Sequence, residues 1–201
     1  MADDFFEQIR LYLPKYLTPE RSAQLFSELK KFSSDPTYNK NFYWTPASDL
    51  LLQGDGWKGL IAVDFYTSER KAVSGVILSN SCDIDISNPR VYDNRFLFAP
   101  LIRIVSFEQL LRDAGKDRQQ ITNTLSSIRN QTTSYVFYLP SIPGAFEESM
   151  ILLDDIYAQP LKSFLETKES RSFALSQYAF YLLLIKLSIH FSRFQEGVPR
   201  S

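Results

Sequence analysis

Cysteine and histidine each occur once in this sequence. A lone Cys forms no internal disulfide, and one Cys with one His falls short of a protein-only zinc site. No sign of charge dominates: 22 basic against 23 acidic side chains leave a formal net charge of −1. That is not the polyelectrolyte signature of a protein that coats DNA. Long apolar runs are missing too. The longest, residues 179–185, is closed by Lys186 and falls far short of the roughly 20 residues that span a bilayer. The start, MADDFFEQIR, is acidic and has no charged-then-apolar pattern, so a cytoplasmic protein with no membrane partner is expected. Glycine is scarce at seven residues, and Gly54-Asp55-Gly56 is read as a turn signal rather than a phosphate-binding loop.

What the sequence has in quantity is aromatic surface. Sixteen Phe, eleven Tyr and two Trp in 201 residues, within a 44% hydrophobic composition, supply a sizeable core and exclude disorder. That length is about one and a half usual domain lengths, so one domain with appendages is the expectation over 1–201. Helices are expected within residues 1–45. Phe5, Phe6, Ile9, Tyr12 and Leu13 recur at helical spacing, and Thr18-Pro19-Glu20 is a start signal for a second helix that Ser33-Ser34-Asp35-Pro36 stops.

A series of short apolar runs fills the middle of the chain. They are 49–53, 60–65, 76–79, 96–102, 135–139 and 149–153, each fenced by Gly, Pro, Asn or Ser. Short strands in series, mostly without helices between them, predict a small antiparallel barrel or coiled sheet. One helical insertion, 106–131, interrupts it. Ser106-Phe107-Glu108-Gln109 and Asp117-Arg118-Gln119-Gln120 read as capping sequences, and Gly115 separates two helices. A short helical turn is expected over 160–165. The segment 166–201 should close the chain with a long helix from about Arg171 to Phe194, apolar on nearly every face and therefore buried, and stopped by Gly197 and Pro199.

The order of these pieces resembles the PemK/MazF family of toxin–antitoxin ribonucleases. The matching pieces are Gly54-Asp55, Val63-Asp64-Phe65, Val76-Ile77-Leu78-Ser79-Asn80, Phe98-Ala99-Pro100-Leu101-Ile102, Phe137-Tyr138-Leu139-Pro140 and Ile151-Leu152-Leu153-Asp154-Asp155-Ile156. The resemblance covers about residues 49–165, within a barrel region set at 46–165. It implies an α+β fold built on a small SH3-like antiparallel barrel, here with N-terminal helices, a helical insertion and a long C-terminal helix. It also implies membership of a bacterial toxin–antitoxin or defence module. The implied partners are single-stranded RNA or a cognate protein, with a homodimer as a further option, and no cofactor is implied.

Departures from the family pattern bear on activity. The resemblance implies a catalytic Arg just before the Leu-Ser-Asn strand and a hydroxyl at the end of the Ala-Pro strand. Those positions hold Ala72 or Val73 and Ile102, which offer neither a cation nor a hydroxyl. Losing a charged transition-state contact costs orders of magnitude in rate. Arg70, Lys71 and Arg103 lie one to three residues away and substitute only if the local register shifts, with Ser79 or Ser81 supplying the hydroxyl. An RNA-binding or partner-binding descendant is therefore expected. An endoribonuclease with relocated residues and a structural adaptor remain as alternatives.

Other candidate groups have two readings each. Cys82-Asp83 is either a reactive thiol tuned by Asp83 or His190, or a small packed residue beside a turn-capping acid. His190 is either a general base or a packed helical residue. The segment Asn88-Pro89-Arg90-Val91-Tyr92-Asp93-Asn94-Arg95 mixes bases, aromatics and amides, which suits phosphate and base contacts from Asn80, Arg90, Tyr92, Asn94 and Arg95, or is a polar surface loop. The acidic pairs Asp154-Asp155 and Glu147-Glu148 make no metal site alone, because neighbouring strand residues point to opposite faces.

Overall fold

The computed structural model describes residues 42–46, 49–88 and 90–191. The helices expected within residues 1–35, the stop signals Gly197 and Pro199, and the closing segment 194–199 lie outside the described residues.

Among the described residues the strands are β1 (Tyr43–Trp44), β2 (Gly56–Val63), β3 (Arg70–Ile77), β4 (Arg95–Pro100), β5 (Ile102–Arg103), β6 (Val136–Leu139), β7 (Ser149–Leu152), β8 (Tyr157–Pro160) and β9 (Arg171–Leu175). The helices are α1 (Ile104–Asp113), α2 (Arg118–Arg129), α3 (Leu161–Thr167) and α4 (Gln177–Phe191). The result is an α+β fold with two antiparallel sheets, ordered β1-β9-β2-β3-β4-β8 and β5-β7-β6.

The three-stranded sheet explains the unbroken apolar runs. Phe137, Leu139, Ile151 and Leu153 point into a core shared with Val76, Leu78, Ala99 and α4. Their neighbours Val136, Tyr138 and Met150 point the other way, onto Ile121, Leu125 and Ile128 of α2 and Ile104 of α1. A strand covered on both faces has no solvent side to keep polar. A third cluster lies against the opposite face of the larger sheet, where Trp57, Leu60, Ile77, Phe96 and Phe98 meet Leu161 and Phe164 of α3.

The helical insertion is present, but only its second helix starts at a capping sequence read in the chain; α1 begins at Ile104, two residues before Ser106, and its N-cap Arg103 makes no side-chain cap bond. Asp117 accepts from the Gln120 backbone N–H at 2.8 Å, and the Gln120 side chain accepts from the Asp117 N–H at 3.2 Å, a complete capping box.

Four expectations are corrected. First, residues 49–53 form no strand. Gln53 instead donates its backbone N–H to Ser81 Oγ and its side chain to Leu78 O, which satisfies the segment without a ladder. Second, the run 96–102 is broken at Leu101, so that β4 stays in the larger sheet and β5 pairs with β7 in the other. The strands thus form two sheets, and no closed ring of ladders exists among the described residues. Third, the closing helix begins at Gln177, not Arg171. Residues Arg171–Leu175 are claimed as β9 by both β1 and β2, and the Ser176 hydroxyl accepts from the Ala179 N–H at 3.3 Å to start the helix. Fourth, Tyr43–Trp44, assigned to the N-terminal helical region, is a strand of the larger sheet.

No helix among the described residues is long and apolar enough to cross a membrane.

Candidate functional site

Most of the polar residues singled out in the sequence meet at one end of β3 and β4. Beyond Ile77 the two strands continue through a mixed pairing. Leu78 donates its N–H to Leu97 O at 2.8 Å, while Leu97 returns its N–H to the Ser79 hydroxyl at 2.8 Å. Ser79 and Ser81 thus both act as acceptors for backbone N–H groups, one holding β4 and the other holding Gln53. Asn80 Oδ1 caps a single 3-10 turn, Ser81–Asp83, by accepting from Cys82 N at 2.9 Å. Ile84, next in the chain, is buried and pins this loop into the core beneath β3 and β4. Asp85 then accepts from both the backbone and the hydroxyl of Ser87, and Asn88 donates to Cys82 O at 3.4 Å. Residues 80–88 are thus tied to one another by short-range bonds.

Arg90 closes the loop. Its guanidinium makes an ion pair with Asp83 and donates to the Tyr92 hydroxyl at 3.5 Å. Tyr92 keeps about two-thirds of its surface exposed, and Arg95 at the start of β4 is exposed as well. Asn94 differs from the others. Its side-chain oxygen is buried without a partner while its backbone carbonyl accepts from Leu161 N, so its backbone ties the loop to α3. Asn80, Cys82, Asp83, Arg90 and Tyr92 therefore form one exposed, hydrogen-bonded surface, with exposed Arg95 at its edge.

The remaining candidates are elsewhere. Arg70 and Lys71 open β3, opposite Val63 and Ala62, seven and six residues from Ile77. At about 3.3 Å per residue that places them more than 20 Å from the Ser79 end. The register shift in this hairpin falls between Trp57 and Leu60 of β2, and β3 pairs residue for residue from Arg70 to Val73. No bulge moves Arg70 into the position of Ala72. Arg103 belongs to the other sheet, where it pairs with Glu147 at 3.1 Å, and Ile102 pairs with Met150. The groups that a relocated ribonuclease centre would need are not brought together.

Glu147 and Glu148 are taken up by ion pairs, Asp154 is exposed, and His190 is half-buried in α4 with its Nδ1 buried and without a hydrogen-bond partner among the described residues. Glu148 receives a two-pronged contact from Arg129, at 2.7 and 2.9 Å, and the Tyr138 hydroxyl donates to it at 2.6 Å. These bonds hold the Glu148 carboxyl below its ordinary pKa. The His190 ring stands edge-on to Phe191 at 4.8 Å. No group of three or more His, Cys, Asp or Glu among the described residues is placed to hold a metal.

Two ionic features went unread in the sequence. Asp55, inside the supposed turn signal, is buried, and its Oδ2 lies 3.0 Å from Arg171 Nε without the alignment of a hydrogen bond. Burial raises the Asp55 carboxyl to a pKa of about 7, against the opposing pull of Arg171 and the Leu52 backbone. Arg171 also lies over the Trp57 ring, 4.9 Å from its centre, and lines a cleft of about 510 Å³ with Tyr43, Trp44, Ile142 and Phe173. The same stretch does spell G-x-G-x-x-G, at Gly54, Gly56 and Gly59. It runs into strand β2 and not onto a helix N-terminus, so it lacks the aligned N–H groups that hold a pyrophosphate. The second feature is Lys186, buried in α4, which donates to Gln131 O at 2.8 Å and Thr133 O at 2.7 Å. Its only advance signal was its place inside an apolar helix.

No protein-family model matches the chain, and no curated protein matches it at a significant level.

Proposed function

We propose that this chain is a diverged PemK/MazF-like protein of a bacterial toxin–antitoxin or defence module that binds single-stranded RNA without cleaving it. The observation that carries this reading is the exposed polar surface at the β3–β4 end. It offers a guanidinium at Arg95 and, beside its ion-pair partner Asp83, another at Arg90 for phosphates, a half-free ring at Tyr92 for stacking, and amide groups at Asn80 for base edges. These are the elements by which small β domains hold single strands.

An SH3-like barrel is the finer fold in this proposal. The return of β8 towards β2 supports it. The Gln159 side chain accepts from Ile61 N at 2.9 Å, and the Thr167 hydroxyl donates to Gly59 O at 2.8 Å, so side chains bridge the seam where a backbone ladder would close the ring. Cleavage is left out of the proposal because its chemistry needs a proton acceptor, a proton donor and a cation at one phosphate. Arg70, Lys71, Arg103 and Ser79 stand apart, and the Ser79 hydroxyl already accepts a backbone N–H.

The test is incubation of the full chain with a mixed single-stranded RNA pool, scoring both cleavage and affinity across a salt series. We expect intact RNA and binding that weakens with salt. Arg90→Ala and Arg95→Ala should each flatten the logarithmic salt slope by about 0.7. Cleavage abolished by Arg70→Ala, Lys71→Ala or Arg103→Ala overturns the reading in favour of an endoribonuclease. Absence of both binding and cleavage overturns it in favour of a protein-binding adaptor.

A further inference from the structure

The β2–β3 hairpin ends in the most exposed aromatic pair among the described residues. Phe65 and Tyr66 retain 91% and 94% of their surface. Exposing two adjacent rings in water forgoes burial worth roughly 1.5–3 kcal/mol for a Phe-sized side chain, so the tip is unfavourable for a chain that leaves it bare. The turn that carries them is nevertheless tightly built. Asp64 Oδ1 accepts from Tyr66 N at 2.9 Å and Thr67 N at 2.8 Å. Ser68 N donates to Asp64 O, Asp64 N to Glu69 O, and Glu69 N to the Thr67 hydroxyl. Ser68 adopts φ 60°, a left-handed conformation uncommon for a residue with a side chain. With the turn's backbone already held, a ligand that stacks on the rings has chiefly their side-chain rotations to order.

The rings are perpendicular, with an interplanar angle of 86° and centres 5.8 Å apart, so together they make a two-walled corner. A flat group that stacks on one wall meets the second ring at its border. Immediately after the turn come Arg70 and Lys71, both exposed, with no ion-pair partner among the described residues. Val63, opposite Arg70, adds an exposed apolar flank.

We propose that this hairpin tip is a stacking site for one unpaired nucleobase of a single strand, with Arg70 and Lys71 on its flanking phosphates. The inference rests on the RNA-binding reading above and extends it to a second contact, more than 20 Å along β3 from the Arg90–Arg95 surface. A spacing of that size suits the 4–16 nucleotides that a small barrel covers. A bilayer is the poorer fit. An anionic membrane surface rewards net positive charge, whereas Asp64 and Glu69 balance Arg70 and Lys71 at this tip. Stacking on π faces needs no net charge, and the two cations act at single phosphates. The Ala72 and Val73 positions between this hairpin and Ser74 carry no catalytic groups, so the site holds the strand and does no chemistry.

The experiment measures binding of fluorescein-labelled 12-residue oligouridylate and oligothymidylate to the full chain by anisotropy. Phe65→Ala, Tyr66→Ala, Tyr66→Trp and the Arg90→Ala/Arg95→Ala pair are compared with the unaltered protein. Each ring-to-Ala change should weaken binding about fivefold or more without moving the melting temperature, because both rings are solvent-exposed. Tyr66→Trp should retain affinity, and its fluorescence should be quenched as the oligonucleotide is added. Unchanged affinity in both Ala variants, while Arg90→Ala/Arg95→Ala weakens binding, overturns the hairpin site and leaves the RNA-binding reading standing. No binding by the unaltered protein overturns both. A parallel sedimentation with phosphatidylcholine–phosphatidylserine vesicles completes the test. Vesicle binding lost in the Ala variants, with oligonucleotide affinity kept, assigns the tip to a membrane instead.

Discussion

Lys186 is the residue where burial and charge conflict most sharply. Its ammonium is taken out of water and given two carbonyl acceptors but, in those contacts, no carboxylate, and burial lowers its pKa to about 7 from an ordinary 10.5. The unfolded chain therefore binds the proton more tightly than the folded one between those values. Stability rises with pH wherever the unfolded state holds more protons, so this group's destabilising contribution is complete below about pH 7 and fades towards 10.5. Asp55 works in the opposite sense. Its carboxyl is raised to about 7 from 3.8, so the folded state holds the extra proton and stability falls as pH climbs across that window. Urea unfolding of Lys186→Met across pH 7–10.5 should lack the rise seen in the unaltered chain, a slope of up to about 1.4 kcal/mol per pH unit. Asp55→Asn should lack the fall between pH 4 and 7. Parallel curves for either variant and the unaltered chain would contradict the assignment.

At the scale of elements, the β2 bulge organises the larger sheet. Gly59 sits in it at φ 85°, and a Cβ built there would meet Thr167 O at 2.1 Å. Only a residue without a side chain lets the α3–β9 connection come this close. Lys58 N donates to Ser170 O and Glu169 N returns to Lys58 O, so the bulge lets a loop act as a short extra strand. Gly59→Ala should cost the left-handed backbone penalty of about 1–2 kcal/mol plus the energy of moving Thr167. Gly115, at φ 73° with open space around it, is the comparison. Its Ala variant should carry the backbone penalty alone, and equal urea midpoints for the two would refute the close approach. In α2, Asp117→Ala removes the capping box and should cost about 1 kcal/mol, read as a lower midpoint with the slope unchanged.

For the whole molecule, stability depends on layers that sequence-distant segments complete. Phe173 and Leu175 of β9 and Tyr178, Leu182, Leu183 and Ile185 of α4 belong to the largest core cluster. A chain ending at Glu169 loses all six, each worth roughly 1.5–3 kcal/mol when buried, which matches or exceeds the 5–15 kcal/mol that holds a typical domain folded. Such a truncated chain should show no cooperative thermal transition; a soluble fragment that melts sharply would refute the role given to α4. The same dependence separates the candidate residues. Arg70 and Ser79 are nine positions apart, but an extended strand makes that distance physical, and β5 carries Arg103 off into the second sheet.

Local chemistry in the sequence was sufficient for what depends on neighbours in the chain. The capping box at Asp117 marked α2, the short apolar runs marked β4, β6 and β7, the second half of β2 and only the last two residues of β3, and the closing apolar helix was legible because it is apolar all round. The polar surface from Asn80 to Arg95 was legible as well, since its loop is held by contacts between residues a few positions apart. Tertiary pairing decided the rest. Arg171–Leu175 became a strand because β1 and β2 both offered it backbone partners, and Leu101 became a break because the chain changed sheets there. Asp55 and Lys186 became buried ions only when elements over 50 residues away closed over them, as the contacts to Arg171, Gln131 and Thr133 show. Hydrogen-bond partners and desolvation are properties of assembled neighbours, and a periodicity read along one segment contains neither.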